Sequence, residues 1–225
     1  MTMTTKPLDA IRLETGDKPT ASVIWMHGLG ANGWDFAPIV KELDLSGCPS
    51  IRFIFPHAPK LPVTINDGYL MPAWYDVLSW DRGEQEDEAG LRESEAAIGK
   101  LIAQERERGI AADKIVLAGF SQGCAITLQT GLRYPEKLAG MMCLSGYLPL
   151  ASKVADERHP ANQDTSIFMA HGRDDQVIKF DLAESGHDLL TQLGYKVEWN
   201  AYSMQHSLCM EEVAAMAAWL RKVLA

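Results

Sequence analysis

The sequence predicts an α/β fold with a mainly parallel central sheet flanked by helices. Three observations predict it. Short apolar runs alternate with helical patterns along the chain. Most of these runs are continuous rather than alternating, as expected of strands covered on both faces. No internal repeat, low-complexity segment or linker interrupts the rhythm, so residues 1–225 are expected to form one domain.

The strand candidates are "SVIWMHG" (22–28), "IRFIFP" (51–56), "IVLAGF" (115–120), "GMMCLSG" (140–146), "SIFMAHG" (166–172) and "YKVEWNAY" (195–202). In "DEAGLRESEAAIGKLIAQERERG" (87–109), Leu91, Ile98, Leu101 and Ile102 form one apolar stripe that ends at Gly109. The last helix is expected from about Leu208 to Leu224, with Val213, Met216, Leu220 and Val223 on one face. Residues 57–86, "HAPKLPVTINDGYLMPAWYDVLSWDRGEQE", break the pattern. They hold three prolines, two tryptophans and two tyrosines without helical periodicity. So long a stretch between strand and helix reads as a functional loop or lid, or as a surface excursion with its own aromatic cluster.

Composition narrows the function classes. Apolar residues make up 47% and charged residues 23%, which is globular. A formal charge of −9 disfavours nucleic acid and anionic membrane surfaces as partners. No apolar run approaches the roughly 20 residues of a membrane helix, so no stable membrane insertion is expected. The start, "MTMTTKPLDA", lacks the basic and apolar regions of a signal peptide. The four cysteines, Cys48, Cys124, Cys143 and Cys209, stand far apart without a C-x-x-C pair. They indicate neither a zinc site nor a disulfide framework, and a cytoplasmic setting is expected.

The chemistry-bearing signal is Gly119-Phe120-Ser121-Gln122-Gly123, between an expected strand and an expected helix. In a nucleophile elbow the glycines remove side chains that would clash as the backbone reverses, which leaves the serine hydroxyl exposed. The helix that follows aims its N-terminal amides at the same point. Such a serine needs a base, and histidine titrates in the useful range. Of His27, His57, His159, His171, His187 and His206, only His206 falls between the last strand and last helix, where the chain order Ser, acid, His requires it. His27 and His171 each precede glycine at a strand end, and a structural hydrogen-bonding role suits them better. The acid should come from "HGRDDQVIKF" (171–180), where spacing alone does not choose between Asp174 and Asp175. An oxyanion would be held by the amide of Gln122 and, from the glycine-rich "HGLGANG" (27–33), by that of Leu29. The latter stretch lacks the G-K-[ST] ending of a phosphate loop.

"HGLGANG", "FPHAP", "PVTIN", "MPAWYD", "GFSQG", "HGRDDQVI" and "MQHS" together resemble the small carboxylesterases and acyl-protein thioesterases of the α/β-hydrolase fold, nearly end to end. The resemblance implies Ser121, Asp175 and His206 as the triad, since the acid in that family stands three residues after the glycine of H-G-x-x-D. It also implies that 57–86 is a substrate-covering insertion. Two departures stand out: Cys124 occupies a position usually held by glycine, and Met204-Gln205 stands where small residues are common. The activity implied is hydrolysis of short to medium acyl esters or thioesters through an acyl-enzyme, on a small molecule or an acylated protein. Leu29, Ile65, Trp74, Val77 and Val177 are then expected around the acyl group. A lysophospholipase, and a catalytically idle binding module of the same fold, are the alternatives. No metal or organic cofactor is implied, and a homodimer is left open.

Overall fold

The structure is a computed structural model that describes residues 8–79 and 85–225. The first residues of "MTMTTKPLDA" and, in the insertion, Trp80 lie outside the described residues. In chain order the strands are β1 (Ala10–Glu14), β2 (Ala21–Met26), β3 (Ile51–Pro56), β4 (Lys60–Val63), β5 (Tyr69–Pro72), β6 (Ile115–Phe120), β7 (Gly140–Leu144), β8 (Ser166–Gly172) and β9 (Val197–Tyr202). The helices are α1 (Gly33–Phe36), α2 (Glu88–Glu107), α3 (Gln122–Arg133), α4 (Val154–Glu157), α5 (Phe180–Gln192) and α6 (Met210–Leu224). Seven strands form one sheet in the order β1-β3-β2-β6-β7-β8-β9, while β4 and β5 form a separate hairpin. Only β1 runs antiparallel in the large sheet, on β3. The other neighbours are parallel.

The apolar runs are continuous because the central strands are covered on both faces. In β2 every residue is buried. Ile24 and Met26 meet Leu91, Ile98, Leu101 and Ile102 of α2, whereas Val23 and Trp25 join the core completed by Val213, Met216 and Leu220 of α6. Alternate residues of β6 divide in the same way. A third cluster joins α3 to β7, β8 and α5 through Leu128, Met141, Ile167 and Leu190. Each fully buried Leu or Ile contributes roughly 1.5–3 kcal/mol relative to an exposed one. Val223 is only half-buried, and Leu224 beside it completes the inner face of α6.

Three features differ from the sequence expectation. β1 was not expected: "AIRLE" is half polar because β1 is an edge strand exposed on one side. Strand ends contract, from 22–28 to Ala21–Met26, from 140–146 to Gly140–Leu144 and from 195–202 to Val197–Tyr202. The residues trimmed from the first two, such as His27 and Ser145, turn out of the sheet toward the edge where the candidate site lies. Within 57–86 the chain forms the β4–β5 hairpin, which turns through Asp67 and Gly68 at φ 53° and 72°. Its prolines hid it from pattern reading, yet Pro62 and Pro72 sit in a two-stranded ribbon, where an edge tolerates them.

Candidate active site

The G-x-S-x-G turn joins β6 to α3, with Ser121 between them at φ 55° and ψ −117°. A non-glycine residue held there carries strain on the order of 1–3 kcal/mol, which the surroundings must offset. They do so through close backbone approach. A Cβ at Gly119 would overlap the carbonyl of Gly123, and one at Gly123 would overlap the carbonyl of Met26 on β2. The Ser121 amide donates to Leu144 O at 2.9 Å, and its carbonyl accepts from the Cys124 amide at 3.0 Å. Cys124 fits where a glycine is usual because Gly146 gives way: a Cβ at Gly146 would overlap the Cβ of Cys124. Burial, with Cys124 beside it, pushes the Cys143 thiol well up, in keeping with an inert core thiol.

The loop after β9 brings His206 to the elbow, and the loop after β8 brings Asp175 to His206. His206 Nε2 lies 2.9 Å from Ser121 Oγ, and His206 Nδ1 lies 2.7 Å from Asp175 Oδ2. The Asp175 side chain is fully buried. Its other oxygen, Oδ1, accepts from the amides of Val177 at 2.8 Å and Ile178 at 2.9 Å. Burial pushes the carboxyl up, but the His206 hydrogen bond and the two amides more than offset this and hold it below its ordinary value. An ionised carboxylate only accepts, so Nδ1 of His206 carries the proton and the Nε2 lone pair faces the serine hydroxyl. Phe120 packs on the imidazole with ring centroids 4.8 Å apart. Asp174, the other carboxylate of the pair, is exposed, and its amide donates to Met204 O.

The remaining histidines lie elsewhere in the hydrogen-bond network. Buried His27 accepts from the Ala58 amide through Nε2 and reaches Gly28 O through Nδ1. Buried His171 donates through Nε2 to Ile178 O and so closes the acid loop. Burial pushes both imidazoles down, which keeps them neutral. His57 accepts from the Gly33 amide, and His159 caps a short turn at Ala161. His187 stands on α5 beside Asp188.

A cleft of about 470 Å³ opens over Ser121 and His206. Leu29, Ile65 and Val177 line it, together with Phe36, Asn66 and Phe120, which the sequence did not single out. Phe120 could have been found as the variable residue of the elbow itself; Phe36 and Asn66 carry no sequence signal of their own. Trp74 and Val77 do not line the cleft. They are 1% and 4% exposed and belong to the core around α2. The Trp74 indole N–H donates to His27 O at 2.9 Å, so the ring is held against the β2 end of the elbow rather than over a substrate. The amides of Leu29 and Gln122 donate to no backbone carbonyl among the described residues. At "MQHS", the departure from the family pattern, Met204 is buried and Gln205 exposed. Among the described residues no cluster of His, Cys, Asp or Glu could hold a metal, and no helix is long and apolar enough to cross a membrane.

Comparison with known proteins identifies related chains. The chain is 42% identical over 210 residues to acyl-protein thioesterase 1 of Neurospora crassa, covering 89% of this chain and 86% of that protein. It is 38% identical over 221 residues to acyl-protein thioesterase 1 of Yarrowia lipolytica, covering 96% and 97%. The crystal structure of Zea mays acyl-protein thioesterase 2 superposes with a TM-score of 0.86 at 27% identity, covering 96% of this chain and 99% of that one. The family model for phospholipases and carboxylesterases matches residues 10–224. The chain therefore belongs to the phospholipase/carboxylesterase family, on an α/β-hydrolase fold.

Proposed function

We propose that this protein is a serine hydrolase that cleaves carboxylic esters or thioesters of short to medium acyl chains through an acyl-enzyme, within one domain. The observation that carries the reading is the unbroken chain Ser121 Oγ, His206, Asp175 at 2.9 and 2.7 Å, on a strained elbow at the floor of an apolar cleft. Ser121 Oγ attacks the acyl carbon while His206 Nε2 takes its proton. Asp175 fixes the imidazole tautomer and stabilises the imidazolium. The oxyanion of the tetrahedral intermediate is held by the amides of Leu29 and Gln122. As the intermediate collapses, His206 returns the proton to the leaving alcohol or thiol. Water then attacks the acyl-serine with His206 again as base, which releases the carboxylic acid and restores Ser121.

An acylated protein is the target class we favour, because the relatives named acyl-protein thioesterase match nearly the whole chain. The exposed side chains of Val177 at the cleft and of Tyr69 and Leu70 on β5 suit a bulky acylated partner. A cytoplasmic setting accompanies this reading, supported by four free thiols. The test is Ser121→Ala, assayed on p-nitrophenyl and thioester substrates alongside labelling by a fluorophosphonate. Turnover should fall on the order of 10⁴–10⁶-fold and labelling should vanish, with the fold retained. Near-wild-type turnover in the variant would overturn the assignment of Ser121, and a wild-type protein that is neither labelled at Ser121 nor active would favour an idle binding module.

A further inference from the structure

The Gln122 side chain is buried and forms a two-point clamp. Its Oε1 accepts from the Trp74 amide at 2.8 Å, and its Nε2 donates to Tyr75 O at 2.7 Å. The segment it grips, residues 72–77, bends at Trp74 and Tyr75 and makes no ladder with the large sheet. Instead, its backbone is pinned group by group. The Ala73 amide donates to Pro59 O, Ser94 Oγ donates to Trp74 O, and the Asp76 amide donates to Asp87 Oδ2. The same segment reaches the glycine-rich turn after β2 at two points: Gly30 N–H donates to Pro72 O at 2.8 Å, and the Trp74 indole donates to His27 O at 2.9 Å. Residues 27 and 30 flank Leu29. One strap therefore ties the turn that carries Leu29 to the residue that follows Ser121.

We propose that the Gln122 carboxamide is a positioning residue for the oxyanion site: through the 72–77 strap it sets the spacing between the Leu29 amide and its own backbone amide. This rests on the hydrolase reading above and adds to it a role for a side chain that touches no substrate. A tetrahedral oxyanion is stabilised only if both donors converge on it, and an error of a few tenths of an ångström weakens that bond more than it weakens substrate binding. The loss should therefore fall on kcat and leave KM nearly unchanged. A purely structural role would lower the melting temperature and the fraction of active protein, but not turnover per active site.

The experiment compares wild type with Gln122→Met, which keeps the volume and removes both clamp bonds. Trp74→Phe removes the indole bond to His27 and tests the strap should Gln122→Met fail to fold. Gln129→Met, a buried glutamine farther along α3 that binds Glu95 and not the strap, controls for loosening of the helix. Active sites are titrated with a fluorophosphonate, and p-nitrophenyl butyrate hydrolysis is measured per titrated site. For Gln122→Met, kcat should fall on the order of 10–10²-fold, less than the 10²–10³-fold of deleting an oxyanion donor outright. KM should change by less than about threefold, as expected for a group whose effect appears only in the transition state. The inhibition constant of a trifluoromethyl ketone, whose adduct carries an oxyanion in the same place, should rise by the same factor as kcat falls. Unchanged turnover per site in both strap variants, or an equal loss in Gln129→Met, would overturn the inference while leaving the hydrolase reading intact. A wild-type enzyme that neither reacts with the titrant nor turns over would instead overturn the hydrolase reading, and this inference with it.

Discussion

Replacing Asp175 by Asn tests the acid through a constraint visible in its hydrogen bonds. Oδ1 accepts two backbone amides, from Val177 and Ile178, and Oδ2 accepts His206 Nδ1–H. An asparagine must choose which position its NH2 occupies. Placing NH2 at Oδ1 would set it against two amide donors and lose two bonds, at about 1–3 kcal/mol for each buried group left unmet. The carboxamide oxygen therefore stays at Oδ1 and NH2 faces His206. The imidazole must then present Nδ1 as acceptor, which moves its proton to Nε2, where it points at Ser121 Oγ. A preference of about 3–4 kcal/mol leaves the productive orientation two to three powers of ten less populated. Losing the anionic charge beside the imidazolium adds to this, so kcat for Asp175→Asn should fall about 10⁴-fold, the size seen when this substitution flips the tautomer in a known triad. Asp174→Asn should stay within a few fold, since its side chain is exposed and only its backbone is engaged. Initial rates on p-nitrophenyl butyrate, with circular dichroism to verify folding, decide the matter. A folded Asp175→Asn enzyme within tenfold of wild type, or a larger loss at Asp174, would refute the reasoning.

Two further outcomes follow from the same geometry. Ile65→Ala and Val177→Ala each remove part of the cleft lining, and a wall contributes roughly 0.8 kcal/mol per buried methylene, close to a fourfold step in kcat/KM for each carbon. The profile from acetyl to octanoyl esters should flatten in both variants with acetyl ester turnover nearly intact; equal slowing of every ester would mean that the residues support the fold instead. Glu212 is fully buried at the start of α6, and burial pushes its carboxyl up to about 8, the nearby Cys209 backbone drawing it down only in part. The unfolded chain ionises this group near its ordinary value of 4.5 while the folded chain keeps the proton to about 8, so stability falls as pH rises across that window. Glu212→Gln should therefore raise the melting temperature by an amount that grows from about pH 5 to pH 8 and levels off above it; a difference independent of pH would show that ionisation of Glu212 is not what limits stability.

The parts of the site legible in the sequence are those whose chemistry depends on neighbours along the chain. The elbow is partly of this kind: Gly119 is required by the Gly123 carbonyl within the same five residues, whereas Gly123 is required by the Met26 carbonyl on β2. The order of serine, acid and histidine is likewise a property of the sheet, because β6, β8 and β9 end on the same edge and deliver their loops in sequence. The choice between Asp174 and Asp175 was not legible from spacing and came from family resemblance. What distinguishes them in space is that Asp175 Oδ1 is capped by amides two and three residues ahead, a turn that the "DDQVI" string permits for either residue. The cleft was legible only in part. Its lining comes from the turn after β2, from α1, from the hairpin loop, from the elbow and from the loops carrying Val177 and His206, and no period in the sequence joins these.

Residues 57–79 show why an ordered segment can read as a loop. Periodicity reports order only when a backbone finds its partners in a ladder or in its own helix. Here much of the backbone finds them in side chains sent from elsewhere: Asp76 caps Thr64, Asp87 receives Asp76, Ser94 reaches Trp74, and Gln122 holds Trp74 and Tyr75. Each polar side chain meets a backbone group that would otherwise be buried and unmet, which allows an irregular segment to pass beneath the surface. Trp74 was assigned to the pocket because a large aromatic in an aperiodic loop near an elbow fits either role. The deciding fact is the partner of its indole N–H, and that partner lies 47 residues away. The segment therefore divides its work by depth. Its outer part, at Ile65 and Asn66, walls the cleft, while its inner part, residues 72–77, fastens the turn of Leu29 to the elbow. Changes at the outer part should tune which acyl chain fits, and changes at the inner part should tune how fast any acyl chain reacts. That separation follows from which atoms each part touches.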